Sequence, residues 1–255
     1  GQVSLWTGTA ANTIGQGTST IVAAGTGTAA DGSLKVKATG AVTLDQANQV
    51  GTLAASVSDA AAAFTYNDTS KLTLDRIITD GALTGANLGN IPSGATNALT
   101  TNRGAVSVTT GDTLTVSKNI VATPTATNGQ GGSVLLKAST GGITTGASGA
   151  IDTSGSVSAV ALTDTAGAGG EVLVYAVAGN VSLGAGITAS GGATAEAADT
   201  AGAGGLVTVR AGAGNLTLNN VTTSGGSIAA GGTGGAGGQV SLWTGTAANT
   251  IGQGT

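Results

Sequence analysis

GGEVLVYAVAGNV, residues 169–181, alternates Val172 and Val174 with Leu173 and Tyr175. The same five-residue form recurs along the chain. It reads QVSLW from Gln2, SLKVK from Ser33, KLTLD from Lys71, AVSVT from Ala105, SVLLK from Ser133, EVLVY from Glu171, LVTVR from Leu206 and QVSLW again from Gln239. In every block the second and fourth residues are Val or Leu, the period-two alternation of a half-buried strand. The block starts are 31, 38, 34, 28, 38, 35 and 33 residues apart.

A larger period encloses the smaller one. GQVSLWTGTAANTIGQGT occupies residues 1–18 and, without a mismatch, residues 238–255, an offset of 237. The expected organisation is one super-repeat over residues 1–237, made of seven coils starting near residues 2, 33, 71, 105, 133, 171 and 206, with residues 238–255 opening the next identical copy. At about 4.8 Å per coil, seven coils advance about 34 Å.

Most blocks are followed by a second short strand, such as AVTL from Ala41, TLTV from Thr113, NVSL from Asn180 and NLTL from Asn215. A third follows, such as STIVA from Ser19, NIVAT from Asn119, AIDTSG from Ala150, GITASG from Gly186 and NVTTSG from Asn220. In the least regular unit, IIT from Ile77 and ALTG from Ala82 are expected to fill these places. Gly-rich turns, DTAGAGG at Asp164 and Asp199 and GTGGAGG at Gly232, close the units. Three strands and three turns per unit predict an all-β parallel β-helix, a β-solenoid, because a lone coil cannot bury its inner face and must stack. Residues 56–70, 86–104 and 156–164 break the pattern and are expected to project as outward loops or short extra strands.

Composition removes several chemistries. The chain has 255 residues with no Cys, Met or His, so imidazole and thiolate catalysis and Cys/His metal sites are absent. The 12 acidic side chains are scattered, aromatics make up 2%, and no groove of clustered carboxylates is indicated, so no enzyme activity is expected. One carboxylate per DTAGAGG turn is too few for a calcium ion, no phosphate-loop motif occurs, and no cofactor or metal is expected. A net charge of −4 gives no nucleic-acid footprint, and no apolar run reaches the length of a membrane span.

GGSVLLKASTGGI (residues 131–143), GGEVLVYAVAGNV, GGLVTVRAGAGNL (residues 204–216) and GITASGG (residues 186–192) resemble the filamentous-haemagglutinin-like adhesins of Gram-negative bacteria. The resemblance covers most of the chain outside residues 56–104. It implies a right-handed β-helix shaft, secreted to the cell surface. The 237-residue repeat points further, to a structural subunit of an extracellular or cell-surface filament, whose partners are further copies of the repeat, joined covalently or end to end. The alternative is an adhesin shaft that grips a host or sibling-cell surface through its outward loops; ice binding is a third reading, weakened by charged residues among the outward Thr positions.

The candidate contact surface is the fifth position of each block. In order it holds Trp6, Lys37, Asp75, Thr109, Lys137, Tyr175, Arg210 and Trp243. Stacked coils turn these into one surface column, in which Tyr175, Arg210 and Trp243 are consecutive and Lys37 lies beside Trp6, an order suited to cation–π stacking. Two readings stand for this column: plain side-chain packing on the solenoid flank, or a contact with a glycan or a neighbouring fibre. Phe64 and Tyr66, in the irregular segment, are expected at lateral fibre contacts.

Overall fold

The computed structural model describes residues 1–8, 11–23, 32–77, 97–159, 163–229, 231–246 and 248–254. Among them there is no helix. The N-terminal strands are β1 (Gln2–Trp6), β2 (Ile14–Gly15), β3 (Ser33–Ala38), β4 (Val42–Asn48), β5 (Thr52–Ala60), β6 (Phe64–Asp68), β7 (Leu72–Leu74) and β8 (Asn97–Asn102). Four similar triplets follow: β9 (Val106–Thr110), β10 (Leu114–Val116) and β11 (Asn119–Val121); β12 (Val134–Ala138), β13 (Ile143–Thr145) and β14 (Ile151–Asp152); β15 (Val172–Ala176), β16 (Val181–Leu183) and β17 (Ile187–Thr188); β18 (Val207–Ala211), β19 (Leu216–Leu218) and β20 (Val221–Thr222). The last two are β21 (Val240–Thr244) and β22 (Ile251–Gln253).

These strands form two sheets, and every pairing is parallel. The smaller, of 8 described strands, runs β2-β4-β6-β9-β12-β15-β18-β21. The larger, of 14, carries two columns, β7-β10-β13-β16-β19-β22 and β8-β11-β14-β17-β20, which merge on the long strand β5 and continue through β3 to β1. The chain therefore visits the smaller sheet once and the larger sheet once or twice in each rung, and each strand pairs with its counterpart one rung away.

Alternation makes the core. In the smaller sheet Ile14, Val42, Phe64, Val106, Val134, Val172, Val207 and Val240 are register partners in succession. In the larger sheet Leu5, Val36, Ala55, Leu99, Ile120, Ile151, Ile187 and Val221 do the same. Val172, Val174, Val207 and Val209 are fully buried. Each such side chain contributes roughly 1.5–3 kcal/mol relative to exposure, and in-register stacking repeats that gain along the axis. The pairs Val106/Val108, Val134/Leu136, Val172/Val174 and Val207/Val209 face inward as the alternation requires.

Three expectations are corrected. QVSLW, SLKVK and KLTLD do not share a sheet with the later blocks: β1, β3 and β7 lie in the larger sheet, whereas AVTL, expected as a second strand, begins β4 of the smaller. Residues 56–70 do not project, because they supply the end of β5 and all of β6. Phe64 and Tyr66 are not surface residues; they are 0% and 1% exposed and stand in the inward ladders between Val42 and Val106 and between Leu44 and Val108. An aromatic pair fits there because alternation puts both rings on the inner face of β6. Of residues 86–104, those from 97 to 102 form β8 within the larger sheet. The expected strand ALTG, Pro92 and the end of IIT lie outside the described residues.

The Gly-rich turns stack backbone on backbone. A Cβ on Gly167 would lie 1.7 Å from the Gly129 carbonyl oxygen, one on Gly202 1.9 Å from that of Gly167, and one on Gly235 2.0 Å from that of Gly202. Only glycine permits that approach. Beside this column, parallel bridges link Thr165 to Thr200 and Thr200 to Thr233.

Candidate functional site

Register places β15, β18 and β21 side by side in the smaller sheet, so Tyr175, Arg210 and Trp243 are direct partners on the outer face. The Arg210 guanidinium lies over both rings, its Cζ 4.9 Å from the Tyr175 centroid and 3.9 Å from that of Trp243. Lys137, Thr109 and Asn67 continue the column. The expected order is thus present from Thr109 to Trp243. Each cation–π contact at an exposed site is worth about 0.5–1 kcal/mol. Thr208, Arg210, Ser241 and Trp243 line a shallow recess of about 340 Å³.

Trp6 and Lys37 are also register partners, but on β1 and β3 of the larger sheet. The seven candidate contact residues therefore separate into three groups: Tyr175, Arg210 and Trp243 on one sheet, Trp6 and Lys37 on the other, and Phe64 and Tyr66 in the interior. Both Trp rings settle over the glycine two residues on. A Cβ at Gly8 would meet Trp6 at 2.2 Å, and one at Gly245 would meet Trp243 at 3.0 Å.

The Tyr175 and Trp243 rings flank Arg210 from the two adjacent strands. The Trp243 indole is 41% exposed.

Three buried polar groups carry the remaining chemistry. Asp68 is 1% exposed, and its Oδ2 accepts from the Tyr66 hydroxyl at 2.8 Å and the Val50 N–H at 3.0 Å, while Oδ1 accepts from the Ser70 N–H at 2.8 Å and hydroxyl at 2.7 Å. Burial, reinforced by the Asp68 carboxylate, pushes the Tyr66 phenol well above the ordinary tyrosine range. One rung away, Asn48 stands opposite Asp68, donating to the Leu44 and Asn67 carbonyls and accepting from the Gln16 amide and the Ile21 N–H. The signal for this corner was legible: alternation on β6 puts Asp68 on the same face as Phe64 and Tyr66.

Asp199, in the DTAGAGG turn, is an anchor. Its Oδ2 accepts from the Ser158 hydroxyl at 2.5 Å and the Glu196 N–H at 3.1 Å, and its Oδ1 from the Asp164 N–H at 2.9 Å. The Ser158 bond, helped by these backbone N–H groups and opposed by burial, holds the carboxyl below its usual range. Both oxygens are occupied by protein donors. Among the described residues no three Asp or Glu side chains gather in a cluster able to hold a metal ion. The third group, Lys35, is 1% exposed, its Nζ makes no hydrogen bond, and burial draws its pKa down. Nothing in the block SLKVK distinguishes Lys35 from an outward, solvated lysine.

Compared with protein-family models, curated proteins and solved structures, the chain shows no match.

Proposed function

We propose that this chain is a right-handed β-solenoid segment of a structural filament outside the cell, one period of a tandem array. The observation that carries the reading is the pair of unbroken inward ladders, running from Ile14 to Val240 in one sheet and from Leu5 to Val221 in the other, in a chain that repeats itself after 237 residues. Right-handedness follows from the strong preference of parallel crossovers for that hand. Each rung touches only its neighbours, so stiffness and stability accumulate along the axis. The reading assigns the molecule no catalysis. The Tyr175–Arg210–Trp243 stack serves as a brace on the outside of the shaft, because both rings hold the one Arg210 guanidinium across three adjacent strands.

The test is fibre diffraction and electron microscopy on a chain of several joined repeats. The expected result is an unbranched rod with a reflection near 4.7–4.8 Å along its axis. A string of separate globules, or strands lying along the rod, would refute the reading.

A further inference from the structure

The eighteen residues that occur twice are folded in two ways. In the first copy QVSLW is β1 of the larger sheet and the Ile14 segment is β2 of the smaller; in the second, QVSLW is β21 of the smaller sheet and the Ile251 segment is β22 of the larger. Val3 and Leu5 pack against the core in one placement and Leu242 in the other, where Val240 is the register partner of the buried Val207 at the open end of the sheet. Where one repeat runs into the next, the segment occurs once per boundary, so only one placement can hold there.

We propose that every internal boundary takes the β21–β22 placement, and that residues 21–23 then become a strand of the smaller sheet beside β4, on the edge that Ile14 and Gly15 occupy here. This rests on the tandem-array reading above.

The sheet order selects the placement. β21 continues β18 through five register pairs, Val207 with Val240 to Ala211 with Thr244. Were QVSLW instead to enter the larger sheet directly after β20, the next segment able to follow β18 in the smaller sheet would be the two-residue β2, which cannot match those five pairs. With β21 and β22 in place, the chain must next reach β3. Register puts β3 in the same column of the larger sheet as β22, so the two belong to successive rungs. Successive rungs are separated by a visit to the smaller sheet, and only residues 19–32 lie between. Of these, Ile21 and Ala23 already pack on the core, with Val22 turned outward at 59% exposure. They already run beside the end of β4: the Gln49 N–H donates to the Ile21 carbonyl and the Ala23 N–H to the Gln49 carbonyl, both at 2.9 Å. β2, by contrast, holds β4 through only two register pairs, Ile14 with Val42 and Gly15 with Thr43. A direct turn from the larger sheet to the smaller has precedent between β3 and β4, where residues 39–41 suffice.

In the resulting array, residues 21–23 slide along β4 from Gln49, to which Val22 is bridged here, and Val22 replaces Gly15 as the outward neighbour of Thr43. Each period then contributes eight strands to the smaller sheet: QVSLW, residues 21–23, β4, β6, β9, β12, β15 and β18. Eight rungs at about 4.8 Å advance about 38 Å.

The chain contains no Cys, so engineered pairs report register without background. Two chains are compared: the 255-residue chain, and one in which residues 1–237 are followed by residues 1–255. In the 255-residue chain, Gly15→Cys with Thr43→Cys crosslinks on mild oxidation. In the joined chain, with substitutions in the second repeat only, Val22→Cys with Thr43→Cys crosslinks and Gly15→Cys with Thr43→Cys does not. Crosslinking of the Gly15 pair in the joined chain, or of neither pair in an intact rod, overturns the proposal. A joined chain that forms no single continuous rod overturns the fibre reading and this inference with it.

Discussion

The Tyr66 hydroxyl donates to the Asp68 carboxylate at 2.8 Å, and both side chains are buried in a core otherwise built of Val, Leu and Ile. The pair sits where the regular triplets give way to the compact N-terminal rungs, and its polar atoms tie β6 to the turn at Ser70 and to Val50.

Tyr66→Phe removes one donor to Asp68 and leaves three. The expected loss is about 1–2 kcal/mol at pH 7, read from urea unfolding. The pH dependence carries the sign. Because the folded pKa is raised, the stabilisation is complete below the unfolded value of about 10 and is lost as pH climbs above it. The native chain should therefore lose stability above about pH 10, and Tyr66→Phe should flatten that part of the curve. An unchanged slope would dissociate the phenol from alkaline unfolding.

Val172→Asp buries a carboxylate with no partner inside the ladder between Val134 and Val207. A loss above about 3 kcal/mol is expected, with local disruption of the neighbouring rungs visible in hydrogen exchange. Val157→Asp, at a position 51% exposed, should change stability by less than about 0.5 kcal/mol. Similar effects from the two substitutions would contradict the register.

Arg210→Ala removes the cation between two rings. In a Trp6→Phe background, Trp243 emission should shift and stability fall by about 1–2 kcal/mol. A double-mutant cycle with Tyr175→Ala isolates the Arg210–Tyr175 contact, expected at about 0.5 kcal/mol or more. Zero coupling would leave the stack without energetic weight.

Lys35→Met replaces a buried ammonium that makes no hydrogen bond. Its folded pKa is lowered, so the charge penalises folding at neutral pH and the penalty fades as pH rises toward the unfolded value of about 10.4. The variant should be more stable than the native chain by about 1 kcal/mol or more at pH 7, with the gap closing near pH 10. A destabilised variant at pH 7 would show that the ammonium has a favourable role.

Period-two alternation by itself determined which side chains of each strand face inward, because a strand's pleat sends neighbours to opposite faces whatever sheet it joins. It also determined the run Thr109–Lys137–Tyr175–Arg210–Trp243, since the four triplets repeat nearly in phase. The glycine turns were legible in the same way, as GAGG recurs where backbones must touch. The inward positions of Phe64, Tyr66 and Asp68 were equally available from alternation, and were obscured by their unusual composition. Which sheet a strand enters was a matter for the tertiary structure alone. QVSLW proves the point: one sequence forms β1 of the larger sheet and β21 of the smaller, with its Val and Leu in register with the inward ladders in both. Local sequence specifies the face, but the wall is chosen by hydrogen bonds to the adjacent rung, and that rung lies tens of residues away along the chain.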